Sequence, residues 1–203
     1  MKTTFYFVRH AKSQAEDLGI VQGEGLEVPL SEEGEKQAQA LRQYMADFKF
    51  DKIFASKAQR AIKTADAIRM NFKEVPYDEL SELNERSKGI SEGMLSKDFD
   101  EKYPEIISAW KKEEDPRPDG GENFEDVEKR ALPLLAKHLE EFPGQNILYV
   151  THGNLIKVVL GSLLEMTHGK RARIAQDYCA INCVSFDHER QRWSVEYINR
   201  TCL

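Results

Sequence analysis

The chain has 203 residues, of which 40% are hydrophobic and 32% charged, and a formal net charge of −6. These values describe an ordinary globular protein long enough for one substantial core, and they exclude disordered and collagen-like classes. The acidic balance argues against a nucleic-acid binder, which carries a basic face, and any anionic ligand would need a locally positive pocket.

The first predicted element is the run Phe5-Tyr6-Phe7-Val8-Arg9-His10. Its unbroken apolar character reads as a strand buried on both faces, the kind found in parallel sheets covered by helices. A polar loop follows from about Ala11 to Leu30, with Gly19, Gly23, Gly25 and Pro29. Ser31 fits an N-cap, with Glu32 and Glu33 well placed in the first turn of a helix. That helix carries Ala38, Leu41, Tyr44, Met45 and Phe48 at helical spacing. A second strand, Lys52-Ile53-Phe54-Ala55, leads through Ser56 into a helix that buries Ala58, Ala61, Ile62, Ala65 and Ile68. Strand-helix alternation of this kind implies right-handed parallel units.

From about Glu74 to Gly121 the pattern becomes irregular, with Pro76, Pro104, Pro116, Pro118 and a Gly120-Gly121 pair. This stretch is expected to be an inserted lid or cap. An amphipathic helix is predicted from Phe124 to Phe142, with Pro133 as a kink or a break into two helices. Next comes Ile147-Leu148-Tyr149-Val150-Thr151-His152, a second apolar run ending in histidine, and a helix through Leu155, Val158, Val159 and Leu163. Two late strands, Ile181 to Phe186 and Trp193 to Ile198, are expected to be antiparallel or at an edge. Residues 1–203 are expected to form a single domain.

Cys179, Cys183 and Cys202 lack the paired spacing of a zinc site and are read as free thiols in a reducing compartment. Met1-Lys2 runs straight into the first strand without a signal region, and no apolar run approaches membrane-spanning length. A cytoplasmic protein with neither membrane nor nucleic-acid partner is the expectation. Asn199-Arg200-Thr201 is then a chance sequon. Oligomeric state is not readable.

In open α/β sheets the ligand crevice lies outside the carboxyl ends of the strands. Arg9 and His10 end the first strand there, Arg60 follows the second, and His152 ends the run at 147–152 before Gly153-Asn154 opens a helix. Two guanidiniums, two imidazoles and helix N-termini describe a pocket for a tetrahedral oxyanion, above all a phosphoryl group. His138, His168 and His188 are read as surface or structural residues.

The ordered motifs resemble those of the histidine phosphatase superfamily, also called phosphoglycerate mutase-like. Phe7-Val8-Arg9-His10 resembles the family signature, and Pro29-Leu30-Ser31-Glu32-Glu33-Gly34 its loop-to-helix entry. Ser56-Lys57-Ala58-Gln59-Arg60-Ala61 with Thr64-Ala65 resembles the second arginine motif. Leu83-Asn84-Glu85-Arg86 with Gly89 and Glu92-Gly93 resembles the acidic motif, and Val150-Thr151-His152-Gly153 the second histidine motif. The resemblance implies a three-layer α/β/α fold with a mostly parallel sheet, here with a small cap insertion at about 74–121. One departure is Ala11, where the family usually has glycine. A need for positive φ at that position would strain alanine.

By the same resemblance, His10 is the nucleophile that forms a phosphohistidine, and Arg9, Arg60 and His152 hold the phosphoryl oxygens. Glu85 matches the family's general acid and base. Ser13, Gln22, Gly23 and Gly153 are expected near phosphate or substrate. Neither a metal nor another cofactor is implied.

A phosphoric monoester hydrolase of the histidine acid phosphatase type, acting on a small phosphorylated metabolite, is the leading expectation. A phosphoglycerate mutase is the alternative, since Leu83-Asn84-Glu85-Arg86 is mutase-like. Mutases of the family usually show Trp and Asn where this chain has Ala15 and Glu16, and a carboxylate there would disfavour an anionic glycerate. A catalytically inactive phosphate-binding module is the third reading. Lys111, Lys112 and Arg117 in the cap are candidates to read a second acidic group on the substrate.

Overall fold

An apolar run without polar alternation has to be covered on both faces, and the computed structural model covers these runs with helices. The structure describes residues 1–25 and 27–202. Six strands, β1 (Lys2–Arg9), β2 (Lys52–Ser56), β3 (Tyr77–Leu80), β4 (Asn146–Thr151), β5 (Ile181–Asp187) and β6 (Arg192–Arg200), form one sheet in the order β3-β2-β4-β1-β5-β6. Strands β3, β2, β4 and β1 are parallel, whereas β5 runs antiparallel to β1 and β6 antiparallel to β5.

The helices are α1 (Gln14–Asp17), α2 (Glu32–Tyr44), α3 (Gln59–Arg69), α4 (Ser96–Lys102), α5 (Pro104–Lys111), α6 (Phe124–Glu141) and α7 (Gly153–Leu163). Alternate strand residues point to opposite faces. Phe5, Phe7, Phe54, Ile147 and Tyr149 pack with Val127, Leu134 and Leu135 of α6 and with Leu155, Val158 and Val159 of α7. Val8, Ile53, Ala55, Leu148 and Val150 pack on Ala38 and Leu41 of α2 and on Ala61, Ala65 and Ile68 of α3. The result is the expected three-layer arrangement with a mostly parallel sheet.

Three details differ from the sequence reading. Residues 77–80 form an edge strand of the sheet, although Asp78 and Glu79 hide the pattern by facing solvent. The stretch read as irregular also holds α4 and α5, and Pro104 opens α5 at a first-turn position where its missing N–H is not needed. Finally, α6 runs unbroken through Pro133. A two-way cap between Asn123 and Asp126 fixes its start, and the buried Val127, Ala131, Leu134 and Leu135 hold the turns on either side.

Ser31 caps α2 as expected, its hydroxyl accepting from the Gly34 N–H at 3.1 Å. The three cysteines are free thiols, and no helix among the described residues is long and apolar enough to cross a membrane.

Three of the five histidines have structural partners. His168 meets Glu128 at 2.6 Å, and His188 meets the Thr3 hydroxyl at 2.8 Å. His138 is buried, stacked on Phe54 at 4.3 Å, with Nδ1 2.7 Å from the Tyr149 hydroxyl. Burial pushes His138 down to about 4. The unfolded chain takes up this proton near 6.5 and the folded chain only near 4, so stability falls as pH drops through that window. The loss amounts to about 3 kcal/mol for this side chain. Urea unfolding at pH 7 and pH 4.5 should therefore show a steeper loss for the wild type than for His138→Gln. Equal losses in the two proteins would remove His138 as the source.

Candidate active site

The register of the parallel pair β1–β4 places Arg9 opposite Thr151, and the His10 N–H extends the ladder to the Thr151 carbonyl at 2.9 Å. His10 and His152 consequently lie side by side past the strand ends, with ring centroids 5.0 Å apart. Ser56 ends β2 on the same edge, and the turn after it sends Arg60 from the start of α3 into the same buried space. His10, Arg60 and His152 are 4%, 1% and 0% exposed.

Hydrogen bonds fix the proton positions on both imidazoles. His10 Nδ1 is 2.8 Å from the Ala11 carbonyl oxygen. A carbonyl only accepts, so Nδ1 carries the proton and Nε2 keeps its lone pair. On the other ring, Asn84 Nδ2 donates to Glu24 Oε1 at 2.9 Å, which turns Asn84 Oδ1 toward Ser56 Oγ at 2.9 Å and the Lys57 N–H at 3.1 Å. Ser56 therefore spends its proton on Asn84 and accepts from His152 Nε2–H at 2.7 Å. His152 Nδ1 is buried without a hydrogen-bond partner.

Burial, then Arg60, then Arg9 push His10 well below the ordinary histidine range. His152 is shifted the same way by burial, Arg60 and His10. Both rings are thus neutral at physiological pH.

Arg60 Nη2 donates to the Gly23 carbonyl at 2.8 Å. Arg9 Nη1 donates to the Gln176 carbonyl at 2.6 Å, and its guanidinium lies 3.8 Å over the Tyr178 ring. Arg9 Nε is buried without a hydrogen-bond partner. Glu85 is buried beside these cations. Its Oε1 accepts from the Arg86 N–H at 2.8 Å, and its Oε2 lies 3.4 Å from the Asn154 N–H in the first turn of α7. The five residues expected to carry the chemistry thus lie close together at this edge of the sheet.

The four expected phosphate or substrate contacts fall into different places. Ser13 Oγ donates to Gln22 Oε1 at 2.9 Å, which leaves the buried Gln22 Nε2 without a partner. Gly23 serves Arg60 through its carbonyl. Gly153 opens α7 against Arg9, and a Cβ there would stand 3.5 Å from Arg9 Nε. Ala11 is not among the described residues with positive φ. Its N–H donates to Thr64 Oγ1 at 3.0 Å, so alanine sits there without backbone strain.

Lys111 and Lys112 are exposed, and Arg117 pairs with Asp126 at 2.5 Å, so these cap residues do not converge on the site. Sequence reasoning missed Tyr178, which covers Arg9 and stands 5.7 Å from the His10 ring. The Tyr178 hydroxyl donates to Glu16 Oε2 at 2.8 Å. Tyr178 precedes Cys179, whose φ of 57° turns the chain there, and no local pattern marks such a turn. The roles of Ser56 and Asn84 were also missed, although both stand in motifs that carry Arg60 and Glu85. No group of three or more His, Cys, Asp or Glu that could hold a metal occurs among the described residues.

Residues 5–201 match the histidine phosphatase superfamily, branch 1. The chain belongs to this superfamily. A 2,3-bisphosphoglycerate-dependent phosphoglycerate mutase 2 of Gloeobacter violaceus is 30% identical over 168 residues, which are 80% of this chain and 76% of that protein. The adenosylcobalamin/alpha-ribazole phosphatase of Escherichia coli is 29% identical over 162 residues, 79% of each chain. The crystal structure of the alpha-ribazole phosphatase from Shigella flexneri superposes with a TM-score of 0.84 at 26% identity, over 97% of this chain and 96% of that one.

The Ser56 hydroxyl sets the tautomer of His152, so its loss should be felt in phosphate handling more than in folding. Ser56→Ala should lower kcat/KM on a phosphomonoester by about 10–100-fold, the usual cost of losing such an orienting partner. The acid limb of the pH profile should move as well. An unchanged rate and profile would remove the Asn84-Ser56-His152 relay from the site.

Proposed function

We propose that this superfamily member is a metal-independent phosphomonoesterase that hydrolyses a small phosphorylated metabolite through a phosphohistidine on His10. The observation that carries the reading is the bond from His10 Nδ1–H to the Ala11 carbonyl, which leaves Nε2 as a nucleophile among buried cations. The phosphatase relatives support it. The free thiols agree with a cytoplasmic site of action.

In the first step His10 Nε2 bonds to phosphorus as the bond to the leaving oxygen breaks, and Glu85 gives that oxygen its proton. Arg9 and Arg60 stabilise the equatorial oxygens, where catalysis of phosphoryl transfer mainly resides. The bound dianion also supplies the negative charge that lets His152 Nδ1 take up a proton and donate to it. In the second step the Glu85 carboxylate takes a proton from water as its oxygen bonds to phosphorus. The P–Nε2 bond then breaks, and His10 returns to its neutral Nδ1–H form.

A mutase reading has the Gloeobacter relative in its favour. Against it stands Glu16, whose carboxylate holds Tyr178 over Arg9 at the mouth of the pocket and would repel a glycerate carboxylate held there. Phosphate release should exceed interconversion of 2- and 3-phosphoglycerate, and the reverse ratio would establish the mutase. Glu85→Gln should slow alkyl phosphates by about 100-fold or more and activated aryl phosphates far less, because only the former need a proton on departure. An equal loss on both would take Glu85 out of the acid role.

A further inference from the structure

We infer that Asn182 is a positioning residue for the proposed phosphoryl transfer, and that it acts on Arg9 through the main chain of Gln176. The inference rests on the phosphomonoesterase reading and adds to it a residue outside the reacting groups.

Asn182 lies inside β5 between Ile181 and Cys183, paired with Phe7 of β1, and is fully buried. A primary amide in so apolar a place costs stability unless its hydrogen-bonding capacity is used. Asn182 uses all of it. Nδ2 donates to the Phe7 carbonyl at 3.2 Å and to Gln176 Oε1 at 2.9 Å. Oδ1 accepts from Gln176 Nε2 at 2.9 Å and from the Asn199 N–H at 2.8 Å. The Phe7 carbonyl can only accept and the Asn199 N–H can only donate, so the main chain dictates which way this amide points. The amide in turn dictates the orientation of Gln176, which is itself buried.

Gln176 is the residue whose carbonyl receives Arg9 Nη1, at 2.6 Å. The turn that follows is tied to the same edge of the sheet. The Asp177 N–H donates to Asn199 Oδ1 at 2.7 Å, and Asn199 Nδ2 donates to Asp177 Oδ2 at 2.8 Å. Asn199 has a φ of 53°, in the left-handed region that asparagine tolerates better than most residues. The asparagine of the chance sequon therefore has a structural use. Farther along, the Tyr178 ring covers the Arg9 guanidinium. The Cys179 N–H donates to the Arg9 carbonyl and the Arg9 N–H to the Ala180 carbonyl, both at 3.1 Å. Residues 176–180 thus enclose Arg9 in main chain and side chain, and the Asn182 amide is their buried anchor.

The consequence lies in direction. Arg9 is only half-buried, with one Nη on the Gln176 carbonyl and one face against Tyr178. Its Nε is buried with no hydrogen-bond partner among the described residues and remains for a phosphoryl oxygen. A guanidinium presents its donors in a rigid fork, so moving the carbonyl that holds one nitrogen re-aims the others. A displacement of about 1 Å at such a contact can cost about 100-fold in rate. The flanking Ile181, Cys183 and Val184 fill the core with apolar side chains, whereas the Asn182 amide leads to the turn that holds Arg9.

Calorimetric titration with inorganic phosphate, arranged as a double-mutant cycle, tests this. Asn182→Asp keeps the side-chain size but sets a carboxylate oxygen against the Phe7 carbonyl and Gln176 Oε1. With Arg9 present it should weaken phosphate binding about tenfold, the loss of one charged hydrogen bond. In an Arg9→Met chain the same change should alter binding less than about twofold, because the group it positions is gone. Gln176→Met removes the amide pair while keeping the carbonyl and should show the same dependence on Arg9. It carries the test if Asn182→Asp does not fold. Equal weakening with and without Arg9, or no weakening with Arg9 present, would overturn the inference. Failure of the catalytic reading would appear separately, as no phosphate released from any ester by the wild type while the coupling to Arg9 persists.

Discussion

Two imidazoles and two guanidiniums lie together at the carboxyl edge of this sheet, all buried but the half-buried Arg9, because β1 and β4 are parallel neighbours in one register. An antiparallel pairing would send the two strand-end histidines to opposite ends. Desolvation makes charge expensive in this pocket. The arginines stay charged, since guanidinium hardly deprotonates, and the histidines become neutral beside them. On the proposed reading, a buried neutral histidine whose Nδ1 donates to a main-chain carbonyl is a nucleophile already in the reactive tautomer.

The remaining polar groups extend that logic outward. Asn84 and Ser56 orient His152, Gln176 and Tyr178 hold Arg9, and the Gly23 carbonyl anchors Arg60. Arg9 Nε is buried with no hydrogen-bond partner among the described residues, so the site suits an anion that would accept from it.

Much of this was legible in the sequence, for identifiable reasons. Central parallel strands are buried on both faces, so their apolar runs are unambiguous, and a polar residue that ends such a run marks the ligand edge. Arg9, His10 and His152 stand out in this way and Arg60 by its place just after the second strand, whereas Glu85 stands out only through the resemblance of its motif. The edge strand at 77–80 was hidden because half its residues face water. Helix α5 was hidden because a proline at a helix start resembles one that breaks a helix. The place of Tyr178 over Arg9 depends on contacts between distant segments, which no local spacing records.

The central claim is that the proton on His10 Nδ1 leaves Nε2 to attack phosphorus. Rapid quenching of the enzyme with a labelled phosphomonoester, followed by mapping of the adduct and of the modified ring nitrogen, tests it most directly. The account predicts an acid-labile, base-stable phosphoryl group on Nε2 of His10. Label on Nδ1 or on another residue, or steady turnover with no labelled protein, would contradict it.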